Sequence, residues 1–265
     1  MTEWITNSEW LRGTAFVVAL ISLVFWERAA PRRDPRGLVR RWFGNIGLLF
    51  SGALFVRLVL PILPIGVAVW AQADQVGVLN VIDAPLFVAA PLAILMLDMA
   101  IYWQHRAMHA VPVLWRLHRV HHADTGFDVT TALRFHPIEI GLSLVYKFAV
   151  ILLIGAPPVA VVLFELLLNV SAMFNHSNIR LPHSFDRFMR RIIVTPDFHR
   201  VHHSSYEHET NRNFGFCLTA WDYLFGSYTA QPTQTHECME IGLKEFRGDA
   251  ERGLIALLTQ PFRRP

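Results

Sequence analysis

The sequence predicts an all-α membrane protein of about four transmembrane helices, two single spans or more plus a helical hairpin, with a cytoplasmic helical cap that carries the histidines. Three observations lead there. The chain is 53% hydrophobic and only 17% charged, with a mean hydropathy of +0.33, whereas soluble domains carry roughly 25% charge. Its apolar runs reach the length of about 20 residues that a bilayer crossing needs. The pentapeptide HRVHH stands at 118–122 and again at 199–203, and 13 histidines in 265 residues would give an HxxHH pattern only about 0.03 times by chance.

The first apolar run, Leu11 to Trp26, is short, but Trp10 and Trp26 bracket it as an interfacial belt would; an amphipathic surface helix is the competing reading. The start, MTEWITNSEW, lacks the positive charge and small-residue cleavage site of a signal peptide, so the run is expected to be retained. Phe43 to Ala71 is interrupted by Arg57, Pro61 and Pro64, which predicts one kinked or tilted span. Pro85 to Gln104 is clean except for Asp98. Ile138 to Phe174 is broken by GAPP at 155–158, and two helices of 17 residues turning there fit better than one long rod. These runs predict a single integral membrane domain over 1–265.

Orientation follows from arginine in the short loops. ERAAPRRDPRGLVRR, at 27–41, holds six arginines, whereas AQADQVGVLNVID, at 71–83, has no Lys or Arg. The first loop is therefore expected in the cytoplasm, and crossing parity places 104–137 and the chain after Asn175 there too. Every histidine follows Gln104 and lies outside the hairpin's spans, so all 13 are expected on one side.

The net charge of +3 and pI near 9.1 come from arginine clusters beside apolar segments, not from the basic stripe on a polar body that nucleic-acid binding needs, so no nucleic-acid partner is expected. Cys217 and Cys238 form no CxxC pair and read as free thiols.

Residues three and four apart share a helix face. His105 and His109 stack one turn apart, and His118, His121, His122 and His199, His202, His203 each offer i, i+3 and i+4 positions. Imidazole is the commonest protein ligand for iron, zinc and copper, and crowded rings repel one another once protonated unless a metal holds them. Eight histidines exceed the needs of one zinc site, so two metals with four or five nitrogens each are expected. His176, in NHSN directly after the hairpin, is a ninth candidate. His136 stands between ligand and hydrogen-bond partner, and His183, His208 and His236 read as surface or outer residues.

The order HxxxH, HxxHH, HxxHH on a membrane core resembles the fatty acid hydroxylase and sterol desaturase superfamily of membrane di-iron oxygenases. DMAIYWQHRAMH, ALRFHPIE, TPDFHRVHHS and NFGFCLTAWDYLFGSY each resemble family sequence around the boxes, and the likeness covers roughly residues 85–230 as the catalytic core. The resemblance implies two iron ions, with O2 as co-substrate, held by the catalytic histidines His105, His109, His118, His121, His122, His199, His202 and His203, with His176. It also implies hydroxylation, desaturation or ether cleavage of a lipid. Arg180 stands where some hydroxylases place a further histidine, which leaves a tenth ligand open among His136, His183 and water.

Iron held only by histidine calls for nearby carboxylates to orient the ring N–H groups. Asp98, two turns before His105, is the first candidate, with pairing to Arg57 as the competing reading. Asp124, Glu139 and Asp197 are further candidates. Substrate is expected from the bilayer past Leu97, Ile101 and Leu142, while Tyr102 and Trp103 read as belt residues. No GxGxxG, P-loop or GxSxG motif occurs, so electrons are expected from a separate ferredoxin or cytochrome-type donor with its reductase. RFMRR at 187–191 would dock that donor or touch anionic lipid. Two rivals remain at this stage, a zinc-dependent membrane hydrolase and a metal transporter; the surplus boxes weigh against the first, and the lack of mid-span ligands against the second.

Overall fold

The computed structural model describes residues 2–35, 38–60 and 62–264. Pro61, and Arg36 among the six loop arginines, lie outside the described residues. Those described form helices and connecting loops with no strand, only isolated bridges such as Pro31 with Ile179. In chain order the helices are α1 (Thr2–Ala29), α2 (Leu38–Val59), α3 (Pro64–Ala73), α4 (Val78–Val81), α5 (Leu86–Ala110), α6 (Pro112–His122), α7 (Pro137–Ile154), α8 (Pro158–Asn175), α9 (His183–Met189), α10 (Pro196–His202), α11 (Glu207–Thr210), α12 (Ala220–Leu224) and α13 (Leu254–Thr259).

Among the described residues, five segments are long and apolar enough to cross a membrane: Glu9–Ala29, Val39–Val81, Leu86–Ala110, Pro137–Ile154 and Pro158–Asn175. Their outer faces carry exposed Val18, Phe25, Phe50, Leu58, Phe87 and Leu153, apolar surface that water would not tolerate over such an area. The protein is therefore a multi-pass membrane protein. The segment at Phe43 to Ala71 is interrupted as its prolines predict: α2 ends at Val59 and Pro64 opens α3, both within the Val39–Val81 candidate span. α5 runs past Gln104 to Ala110, so His105 and His109 stack one turn apart at its C-terminal end, as their spacing predicts.

The hairpin turns where GAPP predicted. Gly155 closes α7 in the left-handed conformation (φ 70°), which costs a glycine nothing, and Pro158 opens α8. Its two helices pack with α5 and α3 around a core of Ala93, Leu97, Ile151, Ala160 and Phe164. This packing sets the C-terminal ends of α5 and α8 beside the N-terminal end of α7, and α6 and α10 lie across that end of the bundle.

The segment between α6 and α7 is anchored from α2. Arg41 forks onto Asp124 (Nε–Oδ1 2.6 Å, Nη2–Oδ2 2.9 Å) and onto Asp128 (Nη1–Oδ2 2.8 Å), while Asn45 donates to Asp124 and Thr130. Burial opposes ionisation of Asp124, but the Arg41 guanidinium overrides it and holds the carboxyl well below its ordinary range.

Candidate metal centre

α5 ends on His105 and His109, α6 on His118, His121 and His122, α10 on His199 and His202 with His203 as its cap, and α8 on His176 as its cap. These nine rings fall into two adjoining groups. In one, ligand atoms of His105, His109, His118, His122 and His202 all lie within 4.8 Å of one another; in the other, those of His121, His176, His199 and His203 do. Each HRVHH copy thus divides its rings between the groups, because i+3 and i+4 positions diverge by about 100° around a helix axis.

The tautomers show what the rings lack. His105 Nδ1–H donates to the Phe214 carbonyl at 2.8 Å and His202 Nδ1–H to the Arg212 carbonyl at 2.7 Å. Carbonyls only accept, so both rings turn unprotonated Nε2 atoms toward each other, 3.0 Å apart. His176 Nδ1–H donates to the Ala172 carbonyl at 2.6 Å, and its bare Nε2 faces Nε2 of both His121 and His199 at 3.0 Å. Nε2 of His109, His118 and His122, and both nitrogens of His203, are buried with no protein partner. Convergent buried lone pairs repel, and a cation resolves the conflict, so the residues fit two metal ions.

Burial, with mutual repulsion behind it, holds His121, His122, His199, His202 and His203 well below the ordinary imidazole range, and burial holds His176 at about 4. The unfolded chain takes up these protons near pH 6.5, so stability is full above that pH and lost as pH falls through the folded values. Metal-free protein is expected to lose thermal stability steeply from pH 6.5 to 4, with His176 alone contributing roughly 3 kcal/mol. Thermal unfolding across that range, with and without metal, checks this; an unchanged melting temperature would contradict it.

Of the carboxylates expected around the rings, Glu139 is in contact: His118 Nδ1–H donates to its Oε1 at 2.6 Å. The other three orient no ring. Asp98 accepts from the backbone of Cys217 and Leu218, each at 3.2 Å, and from Trp221 Nε1 at 2.8 Å, while Arg57 is exposed on α2. Asp124 is taken by Arg41, and Asp197 pairs with Arg32 and Arg200. Their sequence positions beside the boxes do not aim them at the rings: Asp124 and Asp197 turn to arginines, and Asp98 to the loop at 217–221. His136 lies outside both histidine groups. Its Nδ1 caps α7 by accepting from Ile138 N, and Nε2–H donates to the Leu258 carbonyl, both at 3.2 Å. His183 and His208 are exposed, and His236 is buried 3.8 Å from Asp197, outside both groups. Arg180 is exposed, so the four-membered group gains no further ring there.

Sequence reading missed the loop that aims the rings. Arg212 and Phe214 offer carbonyls, Asn211 Oδ1 accepts from His109 Nδ1 at 3.2 Å, and Asp222 holds the loop by accepting from Phe214 N (2.8 Å) and Gly215 N (2.7 Å). Backbone carbonyls leave no sequence signal, although NFGFCLTAWDYLFGSY marked the segment.

A cavity of about 280 Å³ meets the centre at His105 and His118 and runs between α5, α7 and α8 past Ile101, Phe135, Leu144 and Phe216. Phe135 also stacks on His121 at 4.4 Å. Of the other residues expected to wall a lipid path, Leu97 is in the bundle core and Leu142 lines a separate groove with Phe262. Tyr102 is not a belt residue: it is wholly buried and hydrogen-bonds Ser227 at 2.8 Å, while Trp103 is exposed.

The fatty acid hydroxylase pattern matches residues 90–227, just over half of the chain. The chain is 28% identical over 180 residues to the ornithine lipid hydroxylase OlsE of Rhizobium tropici, covering 68% of this chain and 52% of that protein. To the alkylglycerol monooxygenase of Homo sapiens it is 28% identical over 144 residues, 52% of this chain and 30% of that protein. To the very-long-chain aldehyde decarbonylase GL1-7 of Oryza sativa subsp. japonica it is 26% identical over 156 residues, 54% of this chain and 24% of that protein. The chain thus spans about half the length of the first relative and less than a third of the other two. No solved structure matches it significantly. These relatives give no support to the hydrolase or transporter readings. With its histidine-bearing helices inside the matched residues, the chain belongs to the fatty acid hydroxylase family.

Proposed function

We propose that this protein is a membrane lipid oxygenase that holds two iron ions, the metals of its family resemblance, and uses O2 to oxidise a C–H bond of a lipid. The observation that carries the reading is the pair of buried histidine groups, with their facing lone pairs, at the end of an apolar cavity between membrane helices. His105, His109, His118, His122 and His202 would hold one ion, and His121, His176, His199 and His203 the other. Bound ferrous ions supply the reduction of O2 and the hydrogen abstraction that side chains lack.

The chain's own residues do the rest. Carbonyls of Ala172, Arg212 and Phe214 fix the Nδ1–H tautomer of three rings, so that Nε2 stays free to ligate. Glu139 does the same for His118 and adds negative charge against an all-imidazole set. Replacing it with glutamine is expected to weaken metal binding by about 10–100-fold. A chelator competition comparing Glu139→Gln with the parent reads this, and equal affinities would remove Glu139 from the centre. Ile101, Leu133, Phe135 and Phe216 exclude water and admit an alkyl chain up to His105 and His118.

The arginine-rich loop at 27–41 favours a cytoplasmic centre, within reach of a separate electron donor. A groove of about 790 Å³ over His109, lined by Arg106 and Arg212 against a single carboxylate, Glu207, suits an acidic donor of ferredoxin or cytochrome type. RFMRR suits it less, since Arg190 is buried against Asp186; exposed Arg187 and Arg191 beside Phe185, Phe188 and Ile192 favour the lipid surface.

The deciding measurement is metal content with O2 consumption, on protein purified anaerobically in detergent, reduced, and supplied with extracted lipids. About two irons per chain and lipid-stimulated O2 uptake are expected. Stoichiometric zinc without O2 uptake under any reductant would overturn the reading.

A further inference from the structure

The cavity that reaches the histidines is not uniformly apolar. Along α7 it is lined by Glu139, Ser143 and Lys147, four residues apart and so on one helix face. Glu139 meets His118; Ser143 Oγ donates to Gln104 Oε1 at 3.3 Å; Lys147 Nζ donates to Glu165 Oε1 at 3.1 Å. The eight residues from Glu139 to Lys147 rise about 12 Å along the axis. Asn169 of α8 also lines the cavity, one turn beyond Glu165 toward the rings, and Glu165 also accepts from Arg12 of α1.

Lys147 and Glu165 are both buried, at the middle of their spans. Charged side chains at membrane depth are costly and mark sites of function more often than of packing. Two cations share one carboxylate here, and the metal centre uses none of the three. The excess is positive, and Lys147 borders the cavity itself.

We infer that the cavity binds a single-chain lipid by its carboxylate, held beside Lys147, with the carbon about 12 Å further along the chain presented at His105 and His118. The identity of the reacting end rests on the oxygenase reading; the carboxylate end does not. Ile101, Leu144, Leu168 and Phe216 would pack the alkyl segment between. The carboxylate makes the charge count even, and the distance from Lys147 to the rings then selects the oxidised position.

The test is binding without turnover: anaerobic, unreduced protein in detergent carrying a fluorescent fatty acid, displaced by decanoate, methyl decanoate or decanol. Decanoate is expected to displace the probe at a concentration at least tenfold lower than either neutral analogue. Lys147→Met should bring that advantage to about one, whereas Glu165→Gln, which adds to the excess of positive charge, should keep or enlarge it. Leu144→Trp should weaken all three ligands together. Equal displacement by acid, ester and alcohol would overturn the inference, as would equal loss of the preference and of melting temperature in Lys147→Met and Glu165→Gln, the mark of a structural ion pair. Iron content and O2 uptake on the same preparation separate the two readings. An acid preference without iron or O2 uptake sinks the oxygenase alone, and lipid-stimulated O2 uptake without an acid preference sinks the carboxylate site alone.

Discussion

Replacing His176 with alanine is expected to lower metal content from about two ions per chain to about one and to cut O2-dependent lipid oxidation by more than about 100-fold, the upper figure for losing even an outer partner of a metal ligand. The reason is the uneven division of the rings. His176 belongs to the four-membered group, and its Nε2 faces both His121 and His199 at 3.0 Å, so its loss leaves three imidazoles. The five-membered group keeps its full set, and the ion retained should be the one it holds. His136→Ala is the matched control: it removes a helix cap worth about 1 kcal/mol and leaves both ions in place. Metal analysis of the two purified variants, followed by turnover, checks the pair. Two ions and full activity in His176→Ala would remove His176 from the centre.

The contrast between His176 and His136 also shows what the sequence makes legible. Histidines at i, i+3 and i+4 declare a helical cluster by spacing alone, and the apolar runs with the GAPP break declare the hairpin, so eight rings and the bundle that carries them could be read before any coordinates. His176 was legible by its place at the hairpin's return. His136 was ambiguous, because a single histidine before Pro137 suits a helix cap as well as a ligand, and the Leu258 carbonyl that decides the matter comes from 122 residues away. Asp98, Asp124 and Asp197 failed for the same reason. Helical phase or chain proximity placed them near the boxes, but a carboxylate orients toward whichever donor the tertiary fold supplies, and here those donors are Trp221, Arg41 and Arg32. The ring-aiming carbonyls of Arg212 and Phe214 carry no side-chain signature at all.

Arg41 is the largest of these unforeseen contacts, and its replacement by methionine is expected to destabilise the fold by about 3–5 kcal/mol, the cost of removing one partner from a buried ion pair. The guanidinium is about 1% exposed and is forked between Asp124 and Asp128; without it two carboxylates remain in a buried site, hydrogen-bonded by neutral donors such as Asn45, Trp42, Gly126, Thr130 and Thr131, with Arg134 the remaining cation acting on Asp124. Those carboxylates fix the loop that follows His121 and His122, so the lost stability should be accompanied by looser metal retention. Gly126 supplies an independent route to the same outcome. A Cβ there would stand 2.1 Å from the Arg41 guanidinium carbon, so Gly126→Ala displaces the group without deleting its charge. Thermal unfolding of both variants in detergent should show the two losses in the same direction, with Arg41→Met the larger. If Arg41→Met melted with the parent, the cluster would not be what ties α2 to the segment behind the second histidine box.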